Sequence, residues 1–156
     1  MKIVSNTTPI ITLLRISKLD LLKEVCGEII IPYGVYEEIE IGKEKYYYSD
    51  LKKYKWIEII KLEKTNELNL DLDKGELETI LLAKEINADL IIMDEKLGRR
   101  YAKYYGLNVI GTIGIIMKAR EKGIIEDIET VLSDIKKSGI WINDKLIADI
   151  LKKQNN

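Results

Sequence analysis

Leu90-Ile91-Ile92-Met93-Asp94-Glu95 decides the reading of this chain: an unbroken apolar run that stops at two carboxylates. The run is too short for an amphipathic helix and is followed by Gly98, Arg99 and Arg100, so it reads as a buried parallel strand. Its carboxyl end is acidic. In open α/β sheets ligands sit in the crevice outside the carboxyl ends of the strands, which places Asp94 where chemistry is done if other groups reach the same crevice.

Upstream of that strand, Asp73-Lys74-Gly75-Glu76 opens a helix that runs through Leu77, Ile80 and Leu81 to about Asn87. Glu76 falls in its first turn, where the positive helix terminus favours a carboxylate without any metal. Downstream, Leu97 to Tyr105 reads as a helix stopped by Gly106, Leu107 to Ile110 as a strand, and Gly111-Thr112 as the entry to a helix ending at Lys122. Toward the N-terminus, Lys2 to Ser5 is a first strand, and Thr8-Pro9 starts a helix with Thr8 as its cap. Leu19 to Val25 repeats the helical pattern, Glu28 to Ile31 is a second strand, and Tyr33 to Ile41 a helix carrying Glu37 and Glu38. Leu51 to Tyr54 predicts a short helix, Trp56 to Ile60 a strand, and Glu63 to Asp73 a surface loop. Helices over Asp127 to Lys137 and Lys145 to Lys152 follow, with Trp141 pinning the C-terminal part to the core. This alternation predicts a three-layer α/β/α sandwich with a mostly parallel central sheet and right-handed crossovers. One domain is expected over 1–156, with 140–156 as a C-terminal extension packed on it.

Composition narrows the chemistry. The 156 residues hold 25 basic and 26 acidic side chains for a net charge of -1, so no global positive field draws the protein to nucleic acid or to an anionic membrane. Any nucleic-acid contact must be local. The absence of histidine removes Ser-His-Asp and Cys-His catalysis and His-ligated zinc. The lone Cys26 excludes an internal disulfide and reads as a buried structural thiol. No segment approaches the roughly 20 apolar residues that span a bilayer, and no leader pattern opens the chain, so a soluble, cytoplasmic protein is expected.

Carboxylates, hydroxyls and lysines remain for function. If the first strand lies beside the Asp94 strand, Asn6, Glu76, Asp94 and one of the pair Glu37/Glu38 can converge and bind a hard cation such as Mg²⁺ or Mn²⁺. Such a site supports hydrolysis of a phosphodiester. Each group also has a structural reading: Asn6 as a turn residue bonding nearby backbone, and the acids as solvated surface charge. Arg99 and Arg100, with Lys96 and Lys103 nearby, can hold phosphates or form a solvated helix face. Thr7, Thr8 and Thr112 can bond phosphate or the carboxylates of a ligand. Tyr46-Tyr47-Tyr48 suits a partner contact or base stacking.

The ordered series Ile3-Val4-Ser5-Asn6-Thr7-Thr8-Pro9, Ile31-Pro32 to Val35-Tyr36-Glu37-Glu38-Ile39, Gly75-Glu76-Leu77-Glu78, Ile92-Met93-Asp94-Glu95 with Gly98-Arg99, and Val109-Ile110-Gly111-Thr112 resembles the PIN-domain superfamily. It is most similar to a prokaryotic branch related to VapC-type toxins. The resemblance implies a Mg²⁺- or Mn²⁺-dependent endoribonuclease, often dimeric, which in a toxin–antitoxin pair would meet an antitoxin protein. It puts the catalytic positions on Asn6, Glu38, Glu76 and Asp94 and the metal positions on Asp94, Glu76, Asn6 and the auxiliary Glu95; Arg99, Arg100 and Thr7, from their own chemistry, are the expected RNA contacts. Glu38 is preferred to Glu37 because it directly precedes Ile39. Asn6 departs from the aspartate of a PIN nuclease, replacing a charged ligand with a neutral carbonyl. Weaker metal binding is therefore expected, and Asn6→Asp is expected to tighten it. The alternatives are a catalytically weakened PIN-like module that binds RNA or a protein partner without cutting, and a flavodoxin-like or receiver-like domain.

Overall fold

In the computed structural model, which describes residues 1–63, 71–140 and 142–154, the alternation resolves into five strands. These are β1 (Ile3–Ser5), β2 (Ile29–Pro32), β3 (Ile57–Ile60), β4 (Leu90–Ile92) and β5 (Val109–Ile110), in one sheet of order β3-β2-β1-β4-β5. Every pairing among them is parallel. The described helices are α1 (Thr7–Arg15), α2 (Asp20–Cys26), α3 (Tyr33–Ile41), α4 (Lys74–Glu85), α5 (Lys96–Tyr104), α6 (Thr112–Glu121), α7 (Ile128–Lys137) and α8 (Asp144–Gln154), with a 3-10 turn at Leu51–Lys53.

Successive residues of a strand face opposite sides of the sheet, and here both sides are covered. Ile3, Ile29, Ile31, Ile57 and Ile92 pack into a core with α1, α2, α3, α6 and α7. Val4, Ile91 and Met93 pack against Ile80, Leu82 and Ala83 of α4 and Ala102 of α5. This double cover is why Ile29-Ile30-Ile31 and Leu90 to Met93 are continuous apolar runs instead of alternating ones. Full burial of each such isoleucine contributes about 1.5–3 kcal/mol over leaving it exposed. The expected three-layer sandwich is thus present, with an all-parallel sheet.

The sheet order fixes where a ligand can sit. The chain builds β1, β2 and β3 outward in one direction and then returns to lay β4 on the other side of β1, in register Ile3↔Leu90, Val4↔Ile91 and Ser5↔Ile92. That reversal between β1 and β4 is a topological switch point, and the crevice outside its carboxyl end is the favoured binding place. Asn6 and Asp94 both lie there.

Some boundaries differ from expectation. Helix α1 begins at Thr7 with Asn6 in the capping position, so Thr8 is inside the first turn and does not cap. Strand β5 is confined to Val109–Ile110, the residues that pair with Ile91 and Ile92. Cys26 is half-buried, not buried. Ile142 and Ile150 join the main core, whereas Trp141 and positions 64–70 of the expected surface loop lie outside the described residues. No described helix is long and apolar enough to cross a membrane.

Candidate functional site

Asn6 is pinned where β1 stops. Its backbone N–H donates to the Ile92 carbonyl at 2.9 Å, carrying the β1–β4 ladder one residue past the strand. Its side chain is 2% exposed and makes no helix cap. Instead Nδ2 donates to Glu95 Oε2 at 3.0 Å. The Thr8 hydroxyl donates to the other oxygen, Glu95 Oε1. The turn-residue reading of Asn6 and the capping reading of Thr8 therefore give way to one arrangement, in which both hold Glu95.

Across the crevice, the buried Thr7 donates its hydroxyl to Glu38 Oε2 at 2.6 Å. Glu37, one position earlier on α3, instead pairs with Lys74 Nζ at 3.0 Å on the surface. Glu38 is thus the acid of the pair that meets Thr7. Helix α4 enters beside it through a capping box: Glu76 N–H donates to Asp73 Oδ1 at 2.8 Å, and Asp73 N–H donates to Glu76 Oε2 at 3.1 Å. Gly75 lies in this turn. A Cβ there would stand 3.0 Å from Glu38 Oε2, 3.4 Å from Thr7 Oγ1 and 3.5 Å from Asn6 Oδ1. The missing side chain keeps open a space on which those three oxygens converge.

Asp94 is held from the other side. The Thr112 N–H donates to Oδ1 at 2.7 Å and the Thr112 hydroxyl to Oδ2 at 2.6 Å, tying the end of β4 to the first turn of α6. Arg99 lies next to it: a Cβ on Gly111 would meet both Arg99 Nη1 and Asp94 Oδ1 at 2.8 Å. Arg100 is exposed on α5, as are Lys96 and Lys103. The RNA-contact set expected from the sequence is therefore divided. Arg99 adjoins Asp94, Arg100 lies on the outer face of α5, and Thr7 is buried against Glu38.

The electrostatics follow from crowding acids out of water. Burial pushes the Asp94 carboxyl up, opposed by the two Thr112 hydrogen bonds. Burial also pushes Glu76 up; the Asp73 amide opposes this, and the charges of Asp73, Glu95 and Glu38 add to the rise. Glu76 thus feels both Glu95 and Glu38, although among the described residues no three acidic side chains are close enough to share one ion. Asn6 Oδ1 is buried and has no hydrogen-bond partner among the described residues.

An all-oxygen donor set of carboxylates and an amide carbonyl is what a hard divalent cation prefers. A carboxylate oxygen that accepts one hydrogen bond keeps a further lone pair, so the Thr8 and Thr112 bonds do not exhaust Glu95 or Asp94. The unpartnered Asn6 Oδ1 beside the space at Gly75 completes the match in chemistry.

Two features were not read from the sequence. Thr112, expected to bond phosphate or a ligand's carboxylate, clamps the chain's own Asp94; its place after a strand and at a helix entry is the available signal. Glu78 is 4% exposed against the first turn of α3, with Oε2 unpartnered among the described residues, and a Cβ on Gly34 would fall 1.7 Å from that oxygen. Its spacing from Leu81 and Leu82 put it on the buried stripe of α4, which was the missed clue.

A family model described as a PIN domain matches residues 2–156. Among solved structures, the fold is similar to that of a PilT N-terminus domain protein from the hyperthermophilic archaeon Sulfolobus solfataricus P2, with a TM-score of 0.55 and 23% identity, covering 74% of this chain and 90% of that one. No curated protein matches at comparable strength. At that identity the structural likeness speaks for the fold, and the family match takes in almost every residue from β1 to the C-terminus: the chain belongs to the PIN-domain family.

Proposed function

We propose that the protein is a divalent-metal-dependent endoribonuclease of PIN type. Membership of the family points to a nuclease-type function. The observation that carries the finer reading is the buried, unpartnered Asn6 Oδ1, set beside Glu38 and the space at Gly75, where β1 and β4 end together. Asp94, Glu76, Asn6 and Glu95 would hold the ion. When bound, Mg²⁺ or Mn²⁺ supplies an activated water and neutralises charge developing on the phosphate. Glu38, fixed by Thr7, orients the water and accepts its proton. Arg99 beside Asp94 meets the scissile phosphate, and Lys96, Arg100 and Lys103 meet phosphates farther along the strand.

A toxin role, an antitoxin partner, a homodimer and a cytoplasmic site of action extend the same proposal. They are supported by the resemblance to VapC-type toxins. The test is product formation: an RNA substrate should be cleaved with Mn²⁺ or Mg²⁺ and left intact with chelator.

A second reading is favoured by one specific observation. Both oxygens of Asp94 and both of Glu95 already accept hydrogen bonds from within the chain, so the acids are satisfied without an ion. On that reading the protein binds RNA or a protein partner without cutting. RNA retained in chelator, with no turnover in any metal, would select it.

A further inference from the structure

Asn6 stands where the family resemblance implies an aspartate, and its two side-chain polar atoms have different surroundings. Nδ2 donates to Glu95 Oε2 at 3.0 Å. Oδ1 stands 3.5 Å from the point that a Gly75 Cβ would occupy, and Glu38 Oε2 stands 3.0 Å from that same point. The amide orientation is dictated by chemistry, since the reverse would set a carbonyl against a carboxylate, acceptor to acceptor. Asn6 is thus a neutral group bonded to Glu95 through Nδ2, with its unpartnered Oδ1 at the space beside Gly75 that Glu38 Oε2 also borders. Glu95 is held at both oxygens, by Asn6 and by Thr8, which fixes its carboxylate at the end of β1.

We infer that Glu95 carries the negative charge that an acid at position 6 would otherwise carry, with Asn6 as the donor that fixes it there and as a carbonyl ligand toward Glu38. The charge of the cation site is transposed, not lost. This rests on the cation-binding reading above and reverses the expectation that Asn6→Asp improves the site. An aspartate at position 6 cannot donate to Glu95, and it would set a further negative charge between Glu95 and Glu38 in a buried place. Like charges so close cannot both remain ionised at ordinary cost.

The experiment is a double-mutant cycle on the full chain, with Asn6→Asp, Glu95→Gln and the double variant. It is read by calorimetric titration with Mn²⁺ and by thermal melting in chelator. Glu95→Gln is expected to weaken Mn²⁺ binding by about tenfold or more, the scale of losing a group that charges or orients a metal site. Asn6→Asp is expected to leave binding no tighter and to lower the melting temperature without metal. The double variant, with charge at position 6 and a donor amide at position 95, should recover both readouts. The chelator melts need no ion, so they test the Asn6–Glu95 interaction even where a variant binds poorly.

Tighter Mn²⁺ binding by Asn6→Asp alone, with Glu95→Gln unchanged, overturns the inference, as do strictly additive effects of the two substitutions. No Mn²⁺ binding by the natural chain overturns it together with the metal-dependent reading. Mn²⁺ binding that follows the cycle without cleavage of any RNA leaves the inference standing and removes only the nuclease reading.

Discussion

Glu78 shows at the scale of one residue how tightly the site's walls are built. Its carboxylate is packed against Gly34 in the first turn of α3, the helix that carries Glu38, with no room for a Cβ between them. Gly34→Ala should therefore destabilise the fold by about 1–3 kcal/mol, the usual cost of overpacking. Adding Glu78→Ala should recover part of that loss in urea unfolding; a double variant no more stable than Gly34→Ala would show that the contact is not the cause. Burial also pushes Glu78 above its ordinary value of 4.5, with the Lys74 charge opposing. The folded chain then holds this proton more firmly than the unfolded one. Stability contributed by the protonated form is complete below that ordinary value and is lost as pH rises through the raised folded one. Glu76 and Asp94 are raised in the same direction and add to the slope. In chelator, the melting temperature of the natural chain should exceed that of Glu78→Gln less at neutral pH than near pH 4.5, and a difference independent of pH would refute the assignment.

At the scale of elements, α5 links the crevice to a basic surface. Its sequence Lys96-Leu97-Gly98-Arg99-Arg100-Tyr101-Ala102-Lys103-Tyr104 contains no acid, in a chain of net charge -1. Gly98 and Ala102 bury one stripe, while Lys96, Arg100, Lys103 and Tyr104 are exposed. If that face tracks an RNA backbone, replacing Arg100 or Lys103 with alanine should reduce the salt dependence of single-strand binding by about 0.7 in the log–log slope per lost phosphate contact. Arg99→Ala should act chiefly on cleavage, because Arg99 adjoins Asp94. Equal slopes for the natural chain and the Arg100 and Lys103 variants would place the RNA on another surface. The elements themselves were largely legible: continuous apolar runs gave β2 and β4, alternation around Glu58 gave β3, and Asp73-x-x-Glu76 gave the helix entry that becomes a capping box. Boundaries failed where a local preference met a tertiary demand. Thr8 has the chemistry of a cap, but Glu95 arrives from β4 to take its hydroxyl, and Asn6 occupies the capping position without capping.

Across the whole molecule, the return of the chain from β3 to β4 is what assembles the site. Asn6 and Glu95 are 89 residues apart and meet only because β4 lies beside β1. The acids could be named from the sequence, but their pairing could not. The position before Ile39 favours Glu38 over Glu37 without excluding its neighbour; the partners Asn6, Thr8, Thr112, Thr7 and Lys74 separate the acids in three dimensions. Glu78 and Gly34 escaped notice for the same reason, since their contact exists only once α3 and α4 are packed. The proposed function requires these strand-end oxygens to form one cation-dependent site that cleaves RNA. It is tested most directly by single-turnover cleavage of one RNA across a Mn²⁺ titration, with the natural chain and Asp94→Asn prepared in parallel. Saturable, chelator-sensitive cleavage by the natural chain is expected, with a loss of about 100-fold or more in Asp94→Asn, the scale of removing a key electrostatic group. Equal cleavage by the two proteins, or cleavage by the natural chain that persists in chelator, would contradict it.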